Sequence, residues 1–106
     1  MTRTEAAAAL QRALDISREL AAVADGGDLP LAVSLDAERL QLLKSARASL
    51  QPMDENNRAV LREIAALNDR ALGSLEHRRR AKGRDMDMLA VGRRAVRAYS
   101  NTLMRR

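Results

Sequence analysis

Cysteine, tryptophan and phenylalanine are missing from this chain altogether, and Tyr99 is its only aromatic residue. Without cysteine there is no disulfide and no thiolate metal site. A single histidine, His77, cannot supply the imidazoles of a zinc centre or, without a partner, a hydrolytic triad. No enzyme and no cofactor is expected. No apolar run approaches the ~20 residues that cross a bilayer. The opening Met1-Thr2-Arg3-Thr4-Glu5 lacks the cationic-then-apolar order of a signal peptide, so the cytoplasm is the expected compartment. At 106 residues, one compact domain is the ceiling.

What is present is helix-forming: 20 Ala, 16 Leu and 17 Arg make up half the chain. Such a composition is poor in the β-branched and aromatic residues that strands prefer, and it predicts an all-α fold. Without large rings the core must be built from small aliphatic layers. The spacing predicts an antiparallel three-helix bundle whose long third helix extends beyond the core.

The first helix is predicted over about 3–24, opened by Thr2 at capping-box spacing from Glu5. Ala6, Leu10, Ala13, Ile16, Ser17, Leu20, Val23 and Ala24 share one half of its wheel, and Arg12, Asp15, Arg18 and Glu19 the other. Asp25-Gly26-Gly27-Asp28 should end it, with glycine supplying the positive φ of a C-cap and Asp28 capping the next helix. The second helix is predicted over 29–50, with Pro30 tolerated in its first turn. Leu29, Val33, Leu40, Leu43 and Leu50 form one apolar stripe and Leu31, Leu35, Leu42 and Ala46 another. Such a helix needs two neighbours, or one neighbour and a ligand. Pro52 breaks the pattern and Asp54 caps a third helix predicted over 55–100, with Gly83 as the point where it would bend or break. Its stripe of Val60, Leu61, Ile64, Leu67, Ala71, Leu72 and Leu75 is interrupted by Asn68, read as a register-setting or stripe-edge residue. The core should end near residue 77.

Charge is unevenly divided. Residues 1–53 hold 6 basic and 7 acidic side chains, whereas 54–106 hold 13 and 7. Glu38, Glu63 and Glu76 lie on polar faces and read as solvated helix pairs rather than acid–base machinery. The run Arg78, Arg79, Arg80, Lys82 and Arg84 reads as a basic docking patch or a solvated segment. Nucleic acid is the less favoured partner, because no recognition-helix pattern and no aromatic stacking surface accompanies it. Membrane insertion is not expected, since the extension lacks a Trp, Phe and dense Leu face. Met86, Leu89, Val96, Tyr99 and Leu103 resume helical spacing beyond the basic run, either packing back on a bundle or offering a surface to an amphipathic partner helix. Tyr99 combines a large apolar contact with a hydrogen-bonding tip and is the strongest single contact candidate.

Three helices, a Gly-Asp turn after the first, and the string Gly92-Arg93-Arg94-Ala95-Val96-Arg97-Ala98-Tyr99 give a chain that resembles the FliT-type flagellar export chaperones. The likeness covers most of the chain, and the closing string is its specific part. The resemblance implies a small helical bundle, without enzyme activity, that covers the C-terminal helix of the filament-cap protein and delivers it to the flagellar type III export apparatus. Gly92, Arg93, Arg94 and Tyr99 would then occupy the family's C-terminal motif. The broad apolar face of helix two, with Leu31, Leu35 and Leu42, would help form the cargo groove. Surplus apolar surface also predicts a homodimer or a monomer–dimer equilibrium without cargo. A basic helical nucleic-acid-binding protein and a structural coiled-coil adaptor remain the alternatives.

Overall fold

The computed structural model describes residues 1–82. Three helices fill it: α1 (Arg3–Gly26), α2 (Leu29–Ala46) and α3 (Glu55–Lys82), with a 3-10 turn at Ala48–Leu50 between the second and third. Among the described residues there is no strand, as the composition requires.

Each boundary has a local cause. Thr2 and Glu5 form the expected capping box: the Thr2 hydroxyl accepts from the Glu5 N–H at 3.0 Å, and the Glu5 carboxylate accepts from the Thr2 N–H at 2.9 Å. The Thr2 hydrogen bonds hold the Glu5 carboxyl below its ordinary range. At the other end Gly27 takes φ +81° and closes α1 through its N–H to the Ala24 carbonyl. Asp28 then accepts from the Leu31 N–H at 3.2 Å and starts α2, with Pro30 in the first turn. Asp54 does the same for α3, accepting from the Asn57 N–H at 2.8 Å.

Two predicted boundaries shift. The first helix runs two residues further, to Gly26, because Gly27 rather than Gly26 carries the left-handed cap. The second stops at Ala46 instead of continuing to 50. The chain nevertheless leaves helical conformations only at Gln51, which Pro52 drives out of the helical region, at φ −88°, ψ 138°. The chain tightens into the 3-10 turn, which still buries Leu50. Arg3 donates to the Gln51 and Pro52 carbonyls at 3.2 and 2.9 Å, tying this corner to the start of α1. The third helix is continuous to Lys82; its predicted continuation to 100, the bend at Gly83 and the apolar stripe from Met86 onward lie outside the described residues.

The helix α1 is the centre of the bundle, packing along both α2 and α3, whereas α2 and α3 approach each other at few points. The apolar core divides into two halves. One joins Leu10, Leu14, Leu43, Leu50, Leu61 and Ile64; the other joins Ile16, Leu20, Leu35, Leu72 and Leu75. Ala6, Ala13, Ala24, Ala32, Ala46 and Ala71 are buried among them, and their small side chains let the helices close up without aromatic filler. Among the described side chains, none from Glu76 to Arg79 is buried.

The α1–α2 turn gives a direct test of its cap. A Cβ on Gly27 would sit 2.8 Å from Arg78 Nη1, in a backbone conformation L residues avoid, whereas one on Gly26 would meet nothing within 4 Å. Gly27→Ala should therefore lose about 1–2 kcal/mol in urea denaturation, while Gly26→Ala, at a helical position, should be neutral or gain up to about 1 kcal/mol. Equal effects from the two substitutions would contradict this account of the turn.

Candidate functional site

The sequence offers two places to look for a site, the apolar surface of α2 and the basic run after the core. Cross-helix ion pairs orient the first. Arg12 meets Glu38 at 3.6 Å between α1 and α2, and Arg18 meets Glu63 at 2.9 Å between α1 and α3. All four side chains are about half exposed, so these pairs add little stability. They also correct the expectation that Glu38 and Glu63 form pairs along their own helices: both partners come from α1.

These pairs mark which flank faces which neighbour. On α2 the side turned to α1 carries Glu38, and at about 100° per residue the opposite flank carries Leu29, Val33 and Leu40. On α3 the side turned to α1 carries Glu63, and the opposite flank carries Leu61, Ala65 and Leu72. The two opposite flanks therefore border the α2–α3 seam. Leu61 and Leu72 are buried at its base, and Leu29, Val33, Leu40 and Ala65 are only half-buried. The same flanks also carry Asp36 on α2 and Arg58 on α3, and the backbones of α2 and α3 approach each other sparsely along the seam.

The stripe of Leu31, Leu35 and Leu42, expected to meet a partner, lies on the α1 side of α2. Leu35 is buried in one core half and Leu42 packs against both. Only Leu31 stays open, at 42% exposure. Leu29 and Val33 of the other stripe pack half-buried against one core half, and Leu40, also half-buried, lies outside both.

At the junction of the two core halves lies a polar cluster that the sequence reading passes over. Arg39 of α2 is 0% exposed. Its Nη1 donates to Ser17 Oγ of α1 at 3.3 Å, and its Nη2 donates at 2.5 Å both to Asp36 Oδ1 one turn back and to Asn68 Oδ1 of α3. Ser17 in turn donates to the Ala13 carbonyl at 2.8 Å. One guanidinium thus joins all three helices, while its Nε has no acceptor. Burial pushes the Asp36 carboxyl above its ordinary range against the pull of Arg39, and the same burial lowers Arg39 against the pull of Asp36. Asn68, the expected register or stripe-edge residue, interrupts the α3 stripe at this layer. Arg39 was missed. The available signal was an Asp-x-x-Arg pair inside a helix whose apolar surface covers most of its circumference.

The basic run begins at the far end of the bundle. An open cleft of about 630 Å³ is lined there by Asp25, Gly73, Ser74, His77 and Arg78. Its polar groups bond one another: Ser74 donates to Asp25 Oδ1 at 2.5 Å, Arg70 lies 3.5 Å from Asp25 Oδ2, and Arg78 donates to the Asp25 carbonyl. Arg78 is therefore committed to the α1–α2 turn, and Arg79 beside it is exposed. The side chains of Arg80 and Lys82, and Arg84 with the candidates Met86, Leu89, Arg93, Arg94, Val96 and Tyr99, lie outside the described residues. Among the described residues no acidic or histidine cluster could hold a metal, and no helix is long and apolar enough to cross a membrane.

Neither the curated proteins nor the solved structures yield a match to this chain. A family model does: that of the flagellar protein FliT aligns with residues 7–101, which takes in all three helices and the closing Gly-Arg-Arg string. With most of its length covered, the chain belongs to the FliT family, whose general role is that of a flagellar export chaperone.

Proposed function

We propose that this chain binds and shields the C-terminal helical segment of the filament-cap protein, and delivers it to the flagellar type III export apparatus. Beside the family assignment, the observation that carries the reading is the α2–α3 seam. Leu29, Val33 and Leu40 form an apolar row at i, i+4 and i+11, the spacing a partner helix would match with its own apolar stripe. Leu29 and Val33 already pack against one core half, and the surface that they and Leu40 keep in water is what such a helix would remove, at roughly 25 cal/mol per Å². Leu31 extends the apolar surface at the start of α2. Met86, Leu89, Arg93, Arg94, Val96 and Tyr99 are proposed as further partner contacts, and Arg79, Arg80, Lys82 and Arg84, next to the turn-bound Arg78, as a basic docking patch for cargo or export components. A homodimer is proposed to cover the same apolar surface in the absence of cargo.

The test is co-purification with the C-terminal segment of the filament-cap protein, followed by light scattering, with flagellin and a hook–filament junction protein as controls. A selective 1:1 complex that survives moderate salt is expected, since burial of apolar surface responds weakly to ionic strength. Failure to form it, together with salt-sensitive retention on a nucleic-acid column, would replace this reading with phosphate binding by the basic run. Within the complex, Tyr99→Ala should weaken cargo binding by more than ~1 kcal/mol in titration calorimetry while helix content stays unchanged. An unaltered affinity would remove Tyr99 from the contact surface.

A further inference from the structure

We propose that the Ser17–Asp36–Arg39–Asn68 layer is a releasable latch that holds α2 against α3 and lets α2 swing away as one unit to widen the seam for a partner helix. This rests on the reading that the seam receives the partner. Three observations carry it. The layer sits where the core divides, with wholly apolar clusters on either side, so it interrupts what would otherwise be a continuous zipper. Across the α2–α3 interface, where the backbones approach at few points, the Arg39–Asn68 hydrogen bond is a polar tie between the two helices, set between the apolar contacts of Leu43 with Leu61 and Ile64 on one side and of Leu35 with Leu72 on the other. The latch is also incompletely satisfied: Arg39 Nη2 serves two acceptors while Nε, fully buried, has none.

A buried charged layer with an orphaned donor is a weaker fastening than the aliphatic packing it displaces, because each group gives up hydration on closing. Opening returns the guanidinium and the Asp36 carboxylate to water and offsets part of the apolar exposure that opening creates. The cost of lifting α2 is thereby reduced relative to lifting α1, which is packed along both neighbours. Partial opening of one element below the global unfolding limit is the form such a latch takes in hydrogen exchange. A layer serving only to fix helix register would instead keep all three helices in one cooperative unit.

The first measurement is native-state amide hydrogen exchange on the full chain without any partner. Amides in the middle of α2, residues 35–44, should show at least tenfold lower protection than those of residues 10–20 in α1 and 61–72 in α3. Equal protection in the three segments would overturn the latch. The second uses the triple variant Asp36→Leu, Arg39→Met, Asn68→Leu, which replaces the layer with apolar side chains. It should remain helical, raise α2 protection to that of α1, and lower the association rate of the cap-protein C-terminal peptide at least threefold. A variant whose α2 protection and association rate match those of the unaltered chain would also overturn the latch. Should the triple variant fail to fold, Asn68→Leu alone removes the α2–α3 bridge and should lower α2 protection further; protection unchanged in that variant argues against the latch. The exchange arm needs no cargo. Low α2 protection with no peptide bound would support the latch while sinking the cargo reading.

Discussion

Replacing Arg39 with alanine should destabilise the protein by about 3–5 kcal/mol at neutral pH, the range found when one partner of a buried ion pair is removed. The substitution strips Asp36 of its counterion, leaves Asn68 Oδ1 and Ser17 Oγ without the donor they share, and empties a fully buried site. The effect should carry a pH signature. Burial already holds the Asp36 carboxyl above its unfolded value of 3.8, and only Arg39 opposes that shift. Without the guanidinium the folded-state pKa rises further. A raised folded pKa means that the protonated form is the one the fold favours. The associated stability is complete below about 3.8 and is lost as pH rises through the folded value. Urea midpoints for Arg39→Ala should therefore fall furthest below those of the unaltered chain near pH 7, and the gap should narrow on acidification toward pH 4. A gap that stays constant with pH would show that the lost volume, and not the stranded carboxylate, dominates the cost. The triple apolar replacement of Asp36, Arg39 and Asn68 should instead be neutral or stabilising by about 1–4 kcal/mol, because it removes the desolvation together with the pair.

Fold and site differ in how legible they are from the residues alone. Helix positions follow from strictly local chemistry: the Thr2–Glu5 box, the Gly27 cap, Asp28, Pro30 and Asp54 each act within four residues of themselves, and each does what its position implies. The end of the helical turns at Leu50 is also local, since Pro52 drives Gln51 out of the helical region. Which apolar stripe meets which neighbour was not local. Leu31, Leu35 and Leu42 and the row of Leu29, Val33 and Leu40 are equivalent on a helical wheel. Only the packing of the three helices decides that Leu35 is buried in the core, that Leu42, Leu29 and Val33 pack half-buried against it, and that Leu40 stays outside both halves. Arg39 shows the same limit from the other side. A single arginine on an apolar face reads as a surface residue whose stem snorkels outward. Its burial depends on Ser17 and Asn68 arriving at the same level from helices 22 and 29 residues away.

The distinction between core and seam on α2 supplies the remaining large effect. Leu43 is fully buried among Leu10, Leu14, Leu61 and Ile64, and Leu43→Ala should cost about 2–5 kcal/mol of unfolding free energy through lost transfer energy and the cavity left behind. Leu40 lies three residues earlier on the half-buried flank, and it is not among the side chains packed against either core half. Leu40→Ala should cost less than Leu43→Ala, about 1 kcal/mol, since Leu40 is only half-buried and lies outside both core halves. Cargo affinity should show the opposite order. Leu40→Ala removes a contact that forms only when a partner helix occupies the seam, so it should weaken binding of the cap-protein segment by about 1 kcal/mol or more. Leu43→Ala should change affinity mainly through the fraction of molecules folded. Parallel urea titrations and calorimetric titrations of the two variants would read both orders. If Leu40→Ala binds like the unaltered chain, the partner surface lies away from the α2–α3 seam and falls to the segment beyond Lys82.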